Sequence, residues 1–107
     1  MLIARLAAGL VLALTAPLHA ETQIEITLGD AAFVPAEITV TAGEPFTLLV
    51  HNASSAAAEV EAKDLKIEKV VAAGADIVIK VRAQEPGTYL FVNEYKEDSV
   101  FGHITVQ

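Results

Sequence analysis

Residues 86–107 read PGTYLFVNEYKEDSVFGHITVQ, and this closing stretch decides the fold. Pro86-Gly87 opens a turn, because proline presets its own φ and glycine tolerates positive φ. Thr88 to Val92 is β-branched and aromatic, which favours an extended strand. Asn93 to Asp98 is polar and predicts a loop. Phe101-Gly102 leads back into a short strand, His103 to Val106. The unit is therefore strand, acidic loop, strand.

Upstream, the apolar positions recur with period two. Ile24, Ile26 and Leu28 alternate with Glu25 and Thr27. Ile38 and Val40 alternate with Glu37, Thr39 and Thr41. Phe46, Leu48 and Val50 alternate with Thr47, Leu49 and His51. Val60 and Ala62 alternate with Glu59 and Glu61, and Ile77, Ile79 and Val81 with Asp76, Lys80 and Arg82. Gly29-Asp30, Ala42 to Pro45, Asn52 to Ser55 and Ala73-Gly74 punctuate the runs. Phe33-Val-Pro35 reads as an irregular connection, and Asp64 to Lys69 as a loop or short strand. Short alternating runs with turn residues about every ten positions predict an all-β Greek-key sandwich of about seven to eight strands.

Residues 1–20 have the form of a secretory signal peptide. Arg5 supplies a positive start and Leu6 to Leu14 an apolar core too short to span a bilayer as a helix. Cleavage after Ala20 would remove His19 as well, and residues 21–107 would form one domain in the periplasm. The whole chain carries 7 Lys+Arg against 14 Asp+Glu. Without Arg5 the balance becomes −8. That argues against nucleic acid and against insertion into or adhesion to an anionic membrane, and it permits cationic partners, metal ions included. The chain has no cysteine, so neither disulfide nor thiolate ligation is available. There is no Ser/His/Asp order, phosphate-binding glycine loop or catalytic-cysteine context, so an enzyme is not expected.

The Pro86–Gln107 layout resembles the closing hairpin of the cupredoxins. In that family a PG-x-Y-x-F strand delivers a cysteine ligand, and the following loop a histidine and often a methionine. Here the cysteine position falls on Asn93, the histidine position on Lys96, and the methionine position on Val100 or Phe101. Phe33-x-Pro35-x-x-Ile38-x-Val40-x-Ala42-Gly43 resembles the family's F-x-P-x-x-I-x-V-x-x-G strand entry. The chain is also similar to the EfeO-type cupredoxin-like domain, found in exported proteins beside high-affinity iron permeases. Those carry stretches like E-F-E-S-K-D-L-x-I-E-K-V and E-[FY]-H-E-D-T-A-x-G. Here the corresponding residues are Glu59 to Val70 and Glu94 to Gly102.

The resemblance implies a cupredoxin-type sandwich without a type 1 copper site. It implies an accessory role in ferrous-iron uptake, with an iron permease or another periplasmic uptake component as partner. The expected metal ligands are Glu59, Glu61, Glu94 and Asp98, with Glu97 behind them, at one end of the sandwich. Carboxylates are hard donors that suit iron or manganese better than Cu(I), although iron and copper ions both remain candidates. Glu59 and Glu61 share a strand face. The resemblance is what brings that face near the Glu94–Asp98 loop. Lys96 would then neutralise Glu94, Glu97 or Asp98. The same acidic residues also read as a solvated strand face and loop, in a metal-free module that docks a transport partner. His51 and His103 read as exposed strand residues. Asn52-Ala-Ser54 fits a glycosylation acceptor and an ordinary turn.

Overall fold

A computed structural model describes residues 21–107 and Gly9. The expected leader, with Arg5, His19 and its cleavage point, otherwise lies outside the described residues. The described chain forms nine strands in two sheets. They are β1 (Thr22–Leu28), β2 (Phe33–Val34), β3 (Glu37–Val40), β4 (Phe46–Asn52), β5 (Ala58–Ala62), β6 (Ile67–Val71), β7 (Asp76–Val81), β8 (Gly87–Asn93) and β9 (Phe101–Val106). Two 3-10 turns interrupt them, Lys63–Leu65 between β5 and β6, and Glu94–Lys96 between β8 and β9.

One sheet runs β2-β1-β4-β7 and the other β3-β9-β8-β5-β6. β1 lies parallel to β4, and β3 parallel to β9. The remaining pairs are antiparallel. The period-two pattern explains the layering, because successive side chains on a strand point to opposite faces. Ile26, Leu28, Phe46, Leu48, Val50, Ile79 and Val81 fill the inner face of the first sheet. Ile38, Val40, Ala58, Val60, Ala62, Phe91, Ile104 and Val106 meet them from the second. The rings of Phe33 and Phe91 pack edge to face at 4.8 Å.

Two segments are more ordered than their sequences predict. Phe33-Val34 pairs with Leu28 and Thr27, across a turn closed by the Gly29 N–H donating to the Ala32 carbonyl at 2.9 Å. The segment after Ala62 makes the 3-10 turn and then β6. Lys66 closes that turn at φ 56°, its N–H donating to the Lys63 carbonyl at 3.0 Å. Ala62 and Ile67 then pair, and the β5–β6 hairpin follows. Asn52 is buried, with Nδ2 donating to the carbonyls of Ala56 and Val71 at 2.9 and 3.1 Å. Its amide serves the turn, in accord with the structural reading of Asn52-Ala-Ser54.

A candidate metal centre on the five-stranded sheet

On β5, Ala58, Val60 and Ala62 face the core, so Glu59 and Glu61 project from the other face of the sheet. β6 supplies Glu68 directly opposite Glu61. β8 pairs with β5 through Val60–Asn93 and Glu61–Val92, which brings the turn starting at Glu94 over the same place. One carboxylate oxygen from each of Glu59, Glu61, Glu68 and Glu94 lies within 4.8 Å of the others. Three expected ligands, Glu59, Glu61 and Glu94, therefore come together. The two others stand apart from the group. Asp98 is exposed, and Glu97 borders a depression of about 210 Å³ that it shares with Glu61 and Lys63.

Glu68 was missed by reading 64–69 as a loop or short strand. The available signal was a count: once Ala62 and Ile67 close a hairpin, Glu61 and Glu68 are the next pair outward. The position of the group is also more specific than one end of a sandwich. It rises from the outer face of a sheet, beneath the second 3-10 turn.

Asn93 holds that turn against β5. Its side chain is buried, and its Oδ1 accepts from the Glu59 N–H at 3.2 Å and the Tyr95 N–H at 3.3 Å. The residue at the cysteine position of the cupredoxin frame thus braces Glu59 through its backbone N–H, and the turn that carries Glu94 through the N–H of Tyr95. Lys96 does not neutralise the acidic loop as its spacing suggested. Its Nζ turns to Asp30, lying 3.3 Å from the carbonyl and 3.9 Å from Oδ1. Asp30 is already fixed by Ser55, whose N–H and hydroxyl donate to it at 3.0 and 2.8 Å. These bonds hold the Asp30 carboxyl below its ordinary value, with Lys96 adding to them. The cation beside the cluster is instead Lys63, at 3.7 Å from Glu61 and well exposed.

The electrostatics are those of acids held close together. Hydrogen bonding with Glu94 pushes the Glu61 carboxyl above its ordinary value, burial and the Glu94 charge push the same way, and Lys63 opposes them. Glu59 carries the sharpest signal. It is 9% exposed, and its Oε1 is buried without a hydrogen-bond partner. A carboxylate oxygen removed from water and given no donor is costly, and buried polar groups ordinarily find partners.

The donor set does not fit type 1 copper. No cysteine exists, and Asn93 and Lys96 occupy the frame positions of two ligands. Among the described residues, both histidines are engaged elsewhere. His51 pairs with Asp76 on neighbouring strands, and His103 Nδ1 lies 3.0 Å from Glu37 Oε1. Of the two candidates for the methionine position, Val100 is buried and Phe101 is 47% exposed. Four carboxylates instead make an all-oxygen set, suited to a hard cation.

Comparison with known proteins agrees with this architecture. A family model described as a cupredoxin-like domain matches residues 2–106. An uncharacterized protein, RP394, of Rickettsia prowazekii (strain Madrid E) is 32% identical over 84 residues, covering 78% of this chain and 67% of that protein. Among solved structures, one similar fold is the metal binding domain of the Cu(I) exporting P-type ATPase CopA of Streptococcus pneumoniae D39, with Cu(I). Its TM-score is 0.69 at 24% identity, over 79% of this chain and 84% of that one. Auracyanin A, a "blue" copper protein of Chloroflexus aurantiacus, gives a TM-score of 0.66 at 18% identity, over 82% of this chain and 100% of that one.

Proposed function

The chain belongs to the cupredoxin-like domain family, and from that premise we propose that it is an EfeO-type periplasmic accessory protein of ferrous-iron uptake. It binds iron as cargo, or presents it to a permease or another uptake component. It is a carrier and not an enzyme. The ligands are Glu59, Glu61, Glu68 and Glu94.

The observation that carries this reading is the buried, unpartnered Oε1 of Glu59 within a group of four converging carboxylates. A cation satisfies that oxygen and removes the repulsion among its neighbours. Glu59 and Glu61 come from a strand paired on both sides, so they are held in place before the metal arrives. Glu68 and Glu94 lie toward solvent, on the side from which a metal enters and leaves. Hard oxygen donors favour iron or manganese over Cu(I).

Anaerobic calorimetric titration with Fe(II), and separately with Mn(II) and Cu(II), tests the proposal. Saturable Fe(II) binding that a Glu59→Gln, Glu94→Gln double variant loses is the expected result. Absence of binding by all three ions sinks it.

A second reading rests on Glu97 and Asp98, which stay outside the carboxylate group and face solvent beside Tyr95, itself 57% exposed. In that reading the acidic loop docks a transport partner and no metal is involved. A failed titration, together with intact binding to a partner, would select it.

A further inference from the structure

β6 and β7 are edge strands, one from each sheet, and each is paired on one side only. They border a groove of about 850 Å³ on the open flank of the sandwich. The groove is basic in an otherwise acidic chain. Lys66, Lys69, Lys80 and Arg82 all line it against a single acid, Asp64, and all four cations are exposed. Among the described residues none of them is in an ion pair with a carboxylate. Its floor is apolar, with Leu65 and the buried Ile67.

Lysines on edge strands commonly deter sheet-to-sheet aggregation, and Lys69, which shares the inward parity of Ile67 and Val71, fits that use. Two features go beyond deterrence. First, four unpaired cations from two separate segments, 66–69 and 80–82, converge on one concavity, where charges scattered along an edge would serve as well. Second, Lys66 adopts φ 56°, a left-handed conformation uncommon for a residue with a side chain. Such a position ordinarily takes glycine or asparagine. Here a lysine takes that position as it closes the 3-10 turn, which puts a cation among the residues that line the groove.

We propose that this groove is a docking site for an acidic, extended peptide segment of a partner protein. The segment lies along the free edge of β7, its main chain bonding to the unpaired backbone groups there, as in strand addition. Its carboxylates meet Lys66, Lys69, Lys80 and Arg82, and its apolar side chains reach Leu65 and Ile67. A lipid headgroup would use the cations but not the strand edge. An anionic bilayer is also repelled by the net charge of the chain, −7. A peptide reads the groove locally, within a Debye length of its four cations. The groove shares β6 with the carboxylate cluster, since Lys66 and Ile67 also border the depression at Glu61 and Glu68, but it is lined by different charged side chains and its proposed use does not depend on iron binding.

The experiment is fluorescence anisotropy of a labelled peptide of alternating Glu and Val, titrated with the purified protein. Saturable binding that weakens with salt is expected, with at least about a tenfold loss in a Lys80→Glu, Arg82→Glu variant. Both side chains are exposed, and an unchanged circular dichroism spectrum and melting temperature would show that this variant folds. Bound peptide should slow amide hydrogen exchange in β7. Absence of binding, equal binding by the charge-reversed variant, or unchanged β7 exchange overturns the proposal. So does displacement by inorganic phosphate at the peptide's own affinity, or binding to phosphatidylglycerol vesicles in place of the peptide.

Discussion

Glu61 and Glu68 face one another across the β5–β6 pair as register partners. Like charges directly opposed on a sheet destabilise it. Here the pair sits beside two further carboxylates, with Lys63 drawn up to Glu61. On the proposed reading, the arrangement gives up stability of the metal-free protein in return for a cation site. Glu68→Gln should therefore raise the melting temperature of the metal-free protein at neutral pH by a few degrees. The same change should weaken Fe(II) binding by at least about tenfold, since even residues that only support a ligand cost 10- to 100-fold when lost. Scanning calorimetry with and without Fe(II) checks both. A variant that is neither stabilised without metal nor weakened in binding would contradict the account.

Metal loading should act on stability in the opposite sense. A ligand that binds only the folded state raises its stability in proportion to the logarithm of concentration over Kd. Fe(II) should raise the melting temperature progressively, and a chelator should return it to the metal-free value. In the Glu59→Gln, Glu94→Gln variant, neither addition should move it.

Asn93 links the cluster to its covering turn through two accepted backbone hydrogen bonds. Asn93→Ala leaves the buried Glu59 N–H without that acceptor and should cost about 1–3 kcal/mol. Urea unfolding measures the loss. Because the Glu94 turn is then held less firmly, Fe(II) affinity should fall too, although no metal ligand has been removed.

Asp30 makes a pH prediction. Its folded-state pKa lies below the ordinary value of 3.8, chiefly through the Ser55 backbone and hydroxyl bonds. A carboxyl depressed on folding stabilises the native state above its unfolded pKa. That contribution disappears as pH falls through the lower folded value. Asp30→Asn should therefore flatten the decline in melting temperature below about pH 4, and it should change little of that slope at neutral pH.

Gly102 pairs with Phe91 across β8 and β9. A Cβ at Gly102 would lie 2.3 Å from the Ala36 carbonyl oxygen and 2.4 Å from Phe91 Cζ. The ring occupies the space a side chain would need. Gly102→Ala should cost about 1–3 kcal/mol by overpacking. Phe91→Ala, which empties the space between Gly102 and Phe33, should cost about 3–5 kcal/mol. Equilibrium unfolding of both variants checks the order.

The layers and the closing hairpin were legible in the sequence, because an inward-facing set with period two admits one pleated arrangement. Ile24–Leu28, Phe46–Val50 and Ile77–Val81 specified which residues face the core without reference to any neighbour. Tyr89 to Val92 and Ile104 to Val106 did the same for the last hairpin. The acids were visible as Glu59-x-Glu61 and as a loop, but convergence depends on strand pairing, which composition does not encode. Only the tertiary structure could add Glu68, since it joins the group through register with Glu61. Only the tertiary structure could leave Asp98 outside, or turn Lys96 toward Asp30 instead of its sequence neighbours. Alternation is a local rule and is written along the chain. The meeting of four carboxylates, and of four cations along the edge strands β6 and β7, is set by which strands lie side by side, and that is decided by how the two sheets bury their shared core.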